Sequence, residues 1–262
     1  MDQEEWLKTE FGHAEDDATF AHHLAEAAGR ALADFRTEAL AEGLDGKKLK
    51  DQGDARSQQL ISSVLRFARP HDAVLSEEAT DSEERLSAGR VWIIDPLDGT
   101  REYSEDRHDW AVHVALWSDG SLVAGAVALP GLDTVLSTGR EGTSDATVNG
   151  RRPKIAVSRS RAPQLVTDVA DILDAELVPM GSAGYKAAAV IRGEVDAYIH
   201  AGGQYEWDSA APVAVAQARR LHTSRIDGSS LRYNQADPYL PDLLVCRADL
   251  ADQLLNTISK VK

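Results

Sequence analysis

The apolar run Val91-Trp92-Ile93-Ile94 leads straight into Asp95-Pro96-Leu97-Asp98-Gly99-Thr100. This short apolar run reads as a strand. Two carboxylates follow, three residues apart, on a loop at the strand's carboxyl end, where α/β folds place their sites. Pro96 fixes one backbone torsion and helps both acids point the same way. Gly99 permits close approach of the backbone, so its amide and that of Thr100 can donate to an anion. A plain acidic turn is the alternative; the preceding strand favours a site.

The flanking patterns give the class. Phe20, Leu24, Ala28, Ala31 and Phe35 recur at helical spacing and predict a helix over about 17–40, broken by Gly43 and Gly46. Leu60, Ile61, Val64, Leu65 and Ala68 predict a second, ending before Pro70. His22 and His23 lie on the first helix with no partner at ligand spacing and read as solvated. Residues 73–75, 110–117 and 122–129 read as strands, the last two joined by the hairpin signal Ser118-Asp119-Gly120-Ser121. Residues 134–136 and 155–157 extend that sheet, with turn chemistry at Val148-Asn149-Gly150. Thereafter strands at 176–178, 197–199 and 243–246 alternate with helices at 182–192 and 209–219, and a last helix carries Leu250, Leu254, Leu255 and Ile258. This is an α/β chain.

Two further acidic sites matter. Glu77-Glu78 follows the strand at 73–75, and Asp208 lies in Trp207-Asp208-Ser209-Ala210-Ala211-Pro212, at the start of a helix. Alone, the first is a solvated charge run beside Asp81, Glu83 and Glu84, and the second is a helix cap. Together with Asp95 and Asp98 they form a set of hard oxygen donors of the kind Mg²⁺ requires. Two such ions about 4 Å apart can flank a phosphoryl transfer. The net charge of −15 by itself reads as an acidic surface that keeps the protein soluble. It disfavours nucleic-acid and anionic-membrane partners, and it repels a small phosphate unless bound cations reverse the field. The single cysteine, Cys246, excludes an internal disulfide and reads as an inert buried thiol. The acidic start has no apolar signal core and no run can span a bilayer, so a cytoplasmic protein is expected.

These residues resemble the inositol-monophosphatase-like superfamily of magnesium-dependent, lithium-sensitive phosphatases. The first family signature matches Asp95 to Thr100 followed by Tyr103, and the second matches Trp207 to Ala211. Glu77-Glu78, Gly53-Asp54, Gly181-Ser182-Ala183 with Lys186, and Val148-Asn149-Gly150 also fit, in chain order. The resemblance implies an α-β-α-β-α sandwich, usually a homodimer, with halves at 1–147 and 148–262. It implies a first metal on Glu77, Asp95 and the Leu97 carbonyl, a second on Asp95, Asp98 and Asp208, and a weaker third at Glu77. Mg²⁺ is the expected ion, Mn²⁺ a possible substitute and Li⁺ an inhibitor. Thr100, paired with Asp54, would orient and deprotonate water, with Glu77 alongside, and the Gly99 and Thr100 amides would bind phosphate. Three positions depart from the pattern. Ser76 replaces a glycine, Asp51 replaces a threonine, and Ala201 replaces an acid that contacts inositol hydroxyls.

The loss of that acid turns the expected substrate away from inositol phosphate. The segment from Gly202 to Asp208, with Ser158 to Arg161 and Leu231 to Asn234, is most similar to bacterial 3′(2′),5′-bisphosphate nucleotidases of CysQ type. These convert adenosine 3′,5′-bisphosphate to AMP and phosphate in sulfate assimilation. A bisphosphate needs a second anion site, for which Arg159, Arg161 and Lys186 are candidates. Ser182, Tyr205, Glu206 and Tyr233 complete the expected substrate set, a tyrosine stacking on adenine. Inositol phosphate and fructose 1,6-bisphosphate are the alternative substrates. A haloacid-dehalogenase phosphatase is disfavoured because its aspartates lie two apart, and a non-catalytic nucleotide- or metal-binding protein because Thr100 and every acid are present.

Overall fold

The computed structural model describes residues 2–13, 15–140 and 151–261. Helices α1 (Gln3–Phe11), α2 (Asp17–Ala41) and α3 (Gly46–Ala68) come first. Strand β1 (Ala73–Ser76) and strand β2 (Arg90–Asp98) follow, then the short helix α4 (Thr100–Ser104), β3 (Ala111–Ser118), β4 (Ser121–Leu129) and β5 (Thr134–Ser137). The second half runs β6 (Lys154–Ser158), α5 (Gln164–Leu173), β7 (Glu176–Met180), α6 (Ala183–Ile191), β8 (Ala197–Tyr205), α7 (Ala210–Ala218), β9 (His222–Ser224), β10 (Tyr239–Cys246) and α8 (Ala251–Val261).

Strands β1 to β5 form one sheet in sequence order, and a second sheet has the order β7-β6-β8-β10-β9. Strand alternation then decides the layers. Trp92 and Ile94 of β2, with Val112, Val114 and Leu116 of β3, meet Phe20, Leu24, Leu32, Ile61 and Val64 of α2 and α3. Val91 and Ile93 point the other way, into a core shared with Ala187 to Ile191 of α6 and Val213 and Val215 of α7. Tyr198, Leu243 and Val245 of the second sheet close that core. The opposite face of the second sheet, with Ile199, Leu244 and Cys246, packs on Val166 and Val169 of α5 and Leu254 and Ile258 of α8. The result is the expected α-β-α-β-α sandwich.

The hairpin at 118–121 forms as expected, with Asp119 (φ 47°) and Gly120 (φ 95°) both left-handed, the combination that matches strand twist. Four expectations change. The second helix begins at Gly46 rather than near Leu60. Residues 155–157 do not extend the first sheet; β6 pairs in parallel with β7 and β8, because a connection between sheets leaves the same local pattern as one within a sheet. His22 is buried, and His23 pairs with Glu15 at 3.0 Å. α1 and α5 formed without being anticipated, their apolar faces being short. Val148-Asn149-Gly150 and the 147/148 boundary lie outside the described residues. No described helix is long and apolar enough to cross a membrane.

Candidate active site

The signature acids sit within β2 rather than on a loop after it. Strand pairing to β3 continues from Asp95↔His113 to Asp98↔Ala111 with a shift between them. Pro96, which cannot donate to a ladder, occupies that irregularity. The bulge is held from behind. Ser57 of α3 donates to the Pro96 carbonyl at 2.7 Å, and the Leu97 amide donates to Asp95 Oδ1 at 3.0 Å. Gly99 (φ 87°) then turns the chain left-handed into α4.

Acids from distant segments meet here. Glu77 lies close enough to Asp95 and Asp98 to interact with both; Asp208 feels both Asp98 and Glu77. Burial, then repulsion from Glu77, Asp98 and Asp208, pushes the Asp95 carboxyl well above the usual carboxylate range. Burial, then repulsion from Asp98, raises Asp208 to about 7. Glu77 keeps surface open to solvent, yet the protein around it and the charge of Asp98 raise it to about 7 as well. Asp54 of α3, buried, is lifted to about 7 by desolvation and then by Glu78.

Asp98 is treated differently by its surroundings. Its Oδ2 accepts from Ser182 Oγ and from the Gly184 amide at 2.5 Å, and its Oδ1 from the Ala183 amide at 3.2 Å. The first turn of α6 thus wraps this carboxylate. The nearby ammonium of Lys186 is spent on the Gly181 carbonyl (3.1 Å) and the Ser182 carbonyl, and burial lowers its pKa. Lys186 offsets part of the charge on Asp208, yet Asp208 stays raised, and Asp95 Oδ2 is buried with no hydrogen-bond partner. Asp95, Asp98 and His113 bring ligand atoms within 4.8 Å of one another. An oxygen-rich, self-repelling donor set with one unpartnered buried oxygen fits hard divalent cations.

A cavity of about 740 Å³ opens beside these acids, lined by Thr100, Ser158, Arg161, Gln164, Lys186 and Asp208 among others. Gly99, Asp98 and Ser182 also face it. The remaining expected substrate residues do not line it. Arg159 is bound to Glu102 at 2.7 Å and Glu105 at 2.6 Å. Tyr205, half exposed, stacks on Trp207 at 4.8 Å between centroids. Glu206 is buried and accepts the Asn234 and Gln235 amides at 2.6 and 2.8 Å. Tyr233 is core, its hydroxyl on Ser209 Oγ at 3.1 Å. Charge and aromaticity suggest a ligand contact equally well as these internal ones, so sequence could not separate them. Asp51 pairs with Lys47 on the surface. A separate groove of about 520 Å³ between α1, α2 and α3 is lined by Trp6, Phe35 and Arg56 and carries no acidic cluster.

Sequence reasoning missed three supports. His113 lies behind the Asp pair, and its one signal was a lone polar residue inside Ala111-Val112-His113-Val114-Ala115. Asp109 accepts the Gly181 amide at 2.6 Å. Arg85, buried, forks onto Asp81 at 2.7 and 2.9 Å and reaches Asn234 Oδ1 at 2.7 Å.

A family model described as the inositol monophosphatase family matches residues 13–257. The chain is 51% identical over 259 residues to a 3′-phosphoadenosine 5′-phosphate phosphatase of Mycobacterium leprae, covering 94% of each. It is 28% identical over 197 residues to the 3′(2′),5′-bisphosphate nucleotidase CysQ of Escherichia coli K12, covering 71% of this chain and 80% of that protein. Its fold matches the inositol monophosphatase II structure from Staphylococcus aureus with a TM-score of 0.76 at 21% identity, covering 91% of each chain.

Proposed function

This chain belongs to the inositol monophosphatase family, and from that premise we propose that it is a metal-dependent phosphomonoesterase that hydrolyses adenosine 3′,5′-bisphosphate to AMP and phosphate. The observation that carries the reading is the meeting of Glu77, Asp95, Asp98 and Asp208 beside the cavity, with Asp95 Oδ2 buried and unpartnered. These acids and the Leu97 carbonyl would hold Mg²⁺. When bound, the ions offset phosphoryl charge and make a water more acidic.

The residues of the chain then have distinct tasks. Asp54, raised to about 7, would accept a proton near neutrality, and Thr100, which lines the cavity, would pass it. The Gly99 and Thr100 amides receive the phosphate oxygens. Asp98, fixed by α6, keeps the site rigid while substrate enters. The family name alone allows inositol phosphates, but the wall at β8 presents Ala201 and Gly202, which offer sugar hydroxyls no carboxylate. A cavity of about 740 Å³ suits a nucleotide. With Arg159 engaged by two glutamates, Arg161, Ser158 and Gln164 are the candidates for the second phosphate. The names of the mycobacterial and CysQ relatives support the same substrate.

The reading also makes Mg²⁺ the working ion, lithium an inhibitor, and the protein a cytoplasmic homodimer, as the family resemblance implies. A phosphate-release panel tests it, with adenosine 3′,5′-bisphosphate, inositol 1-phosphate and fructose 1,6-bisphosphate each assayed with and without Mg²⁺. Preference for the nucleotide, lost on chelation, is expected. Equal or better turnover of inositol 1-phosphate would remove the substrate assignment, and release without any divalent ion would remove the metal.

A further inference from the structure

His113 stands in the middle of β3 with none of its surface exposed. Its Nδ1 lies 3.0 Å from the Trp207 carbonyl, 94 positions along the chain. A carbonyl only accepts, so Nδ1 carries the proton and donates it. The other nitrogen, Nε2, lies 3.4 Å from Asp98 Oδ2 and has no hydrogen-bond partner. Asp95 pairs with His113 across the two strands, and Asp95 Oδ2 is 3.9 Å from Nδ1. The ring also fills the space over Gly184, where a Cβ would meet Nε2 at 1.8 Å. One imidazole therefore touches the strand bulge with its two aspartates, the first turn of α6, and the peptide that leads into Asp208.

We infer that His113 is a positioning residue that sets Asp208 against Asp95 and Asp98 by donating its Nδ1 proton to the Trp207 carbonyl. This rests on the metal-site reading above. Asp95 and Asp98 come from the first sheet, and Asp208 comes from the turn after β8 of the second. The apolar core the two sheets share through α6 and α7 is non-directional and does not by itself aim one carboxylate at another. A directed hydrogen bond between β3 and the Trp207 carbonyl supplies that aim at the atom where it matters. Asp208 is held at its other side by the Tyr205 amide at 2.6 Å, so the turn is pinned from within and from across the sheets. A nitrogen donor at this place would orient a carboxylate ligand without competing for the cation, the task of partners that stand behind a metal site.

The test uses three variants of the full chain. Asparagine can place its amide nitrogen near the position of Nδ1, whereas glutamine reaches toward Nε2 and leucine donates nothing. Mg²⁺ and Mn²⁺ binding to the metal-free protein is measured by titration calorimetry, with melting temperature and kcat recorded alongside. H113L and H113Q are expected to bind cation more weakly by about 10–100-fold, and H113N to stay close to wild type. Comparable melting temperatures for H113N and H113Q would then separate positioning from bulk packing. Wild-type affinity in H113L or H113Q overturns the inference, and so does H113N as weak as H113Q, because ring shape rather than the donated proton would then be at work. A wild-type protein that binds neither ion removes the metal reading itself, and this inference with it.

Discussion

Gly184→Ala puts a single methyl where the structure leaves no room. The new Cβ would lie 1.8 Å from His113 Nε2, 2.4 Å from Cε1 and 3.0 Å from Asp98 Oδ2, against 3.4 Å for an ordinary contact. Opening 1.8 Å to 3.4 Å means parting ring and helix by about 1.6 Å. The ring is fully buried and tied to Trp207, so α6 must give way. That displacement stretches the 2.5 Å bond from the Gly184 amide to Asp98 beyond bonding range. Overpacking costs about 1–3 kcal/mol and a lost bond to a charged group about 1.5–3 kcal/mol. The two overlap, so about 3 kcal/mol is expected. A shift of this size at the acids also lowers kcat/KM by about 100-fold. Urea unfolding reads the first number through its midpoint at constant slope, and phosphate release reads the second. The double variant H113A/G184A should recover much of the stability, since the methyl then fills the space left by the ring. A G184A protein with wild-type midpoint and turnover would refute the claim that α6 and His113 are in contact.

Three further outcomes can be checked. Asp95→Asn should abolish turnover while leaving the metal-free protein at least as stable, because one repelling charge is gone; a large drop in its melting temperature would contradict the cluster. Asp54, Glu77, Asp95 and Asp208 are all raised in the folded state, so the folded chain holds more protons than the unfolded one. Stability of the metal-free protein is therefore full below about pH 4 for these groups and is lost as pH climbs through about 7. Melting curves in chelator at pH 5 and pH 8, with Mg²⁺ restoring the loss at pH 8, measure it; a higher melting point at pH 8 in chelator runs against the prediction. Arg85→Lys keeps the charge but not the fork that spans Asp81 and Asn234, and should destabilise by about 2–3 kcal/mol in urea unfolding; an unchanged midpoint would show the fork to be dispensable.

Much of this was written locally in the chain. The alternation of Val91, Trp92, Ile93 and Ile94 is a two-sided pattern, and the structure sends those side chains to two different cores. The Asp95 to Thr100 string stood out after an apolar strand, whereas Glu77 and Asp208 gained meaning only beside it, since alone each fits a charged surface or a helix cap. Partners across the sheets were not legible. Arg159 and Arg161 are separated by one residue and look alike, yet Glu102 and Glu105 claim the first while the second faces the cavity. Glu206 next to Trp207 and Asp208 resembled a ligand, and only the fold shows two backbone amides filling it. His22 was misread for the same reason: helical spacing shows which face it occupies, and not what covers that face.

The Arg85 network also bears on how the enzyme comes into being. Its contact with Asn234 closes a span of 149 residues, and Glu206 joins the same knot through the Asn234 amide. Contacts so distant in sequence form late, since the chain entropy lost on closing them must be met before they return anything. During synthesis the segments carrying Glu77, Asp95 and Asp98 emerge long before Asp208 and Asn234. A nascent chain therefore has a finished first sheet and an unfinished catalyst, and in refolding experiments the gain of turnover should trail the gain of secondary structure.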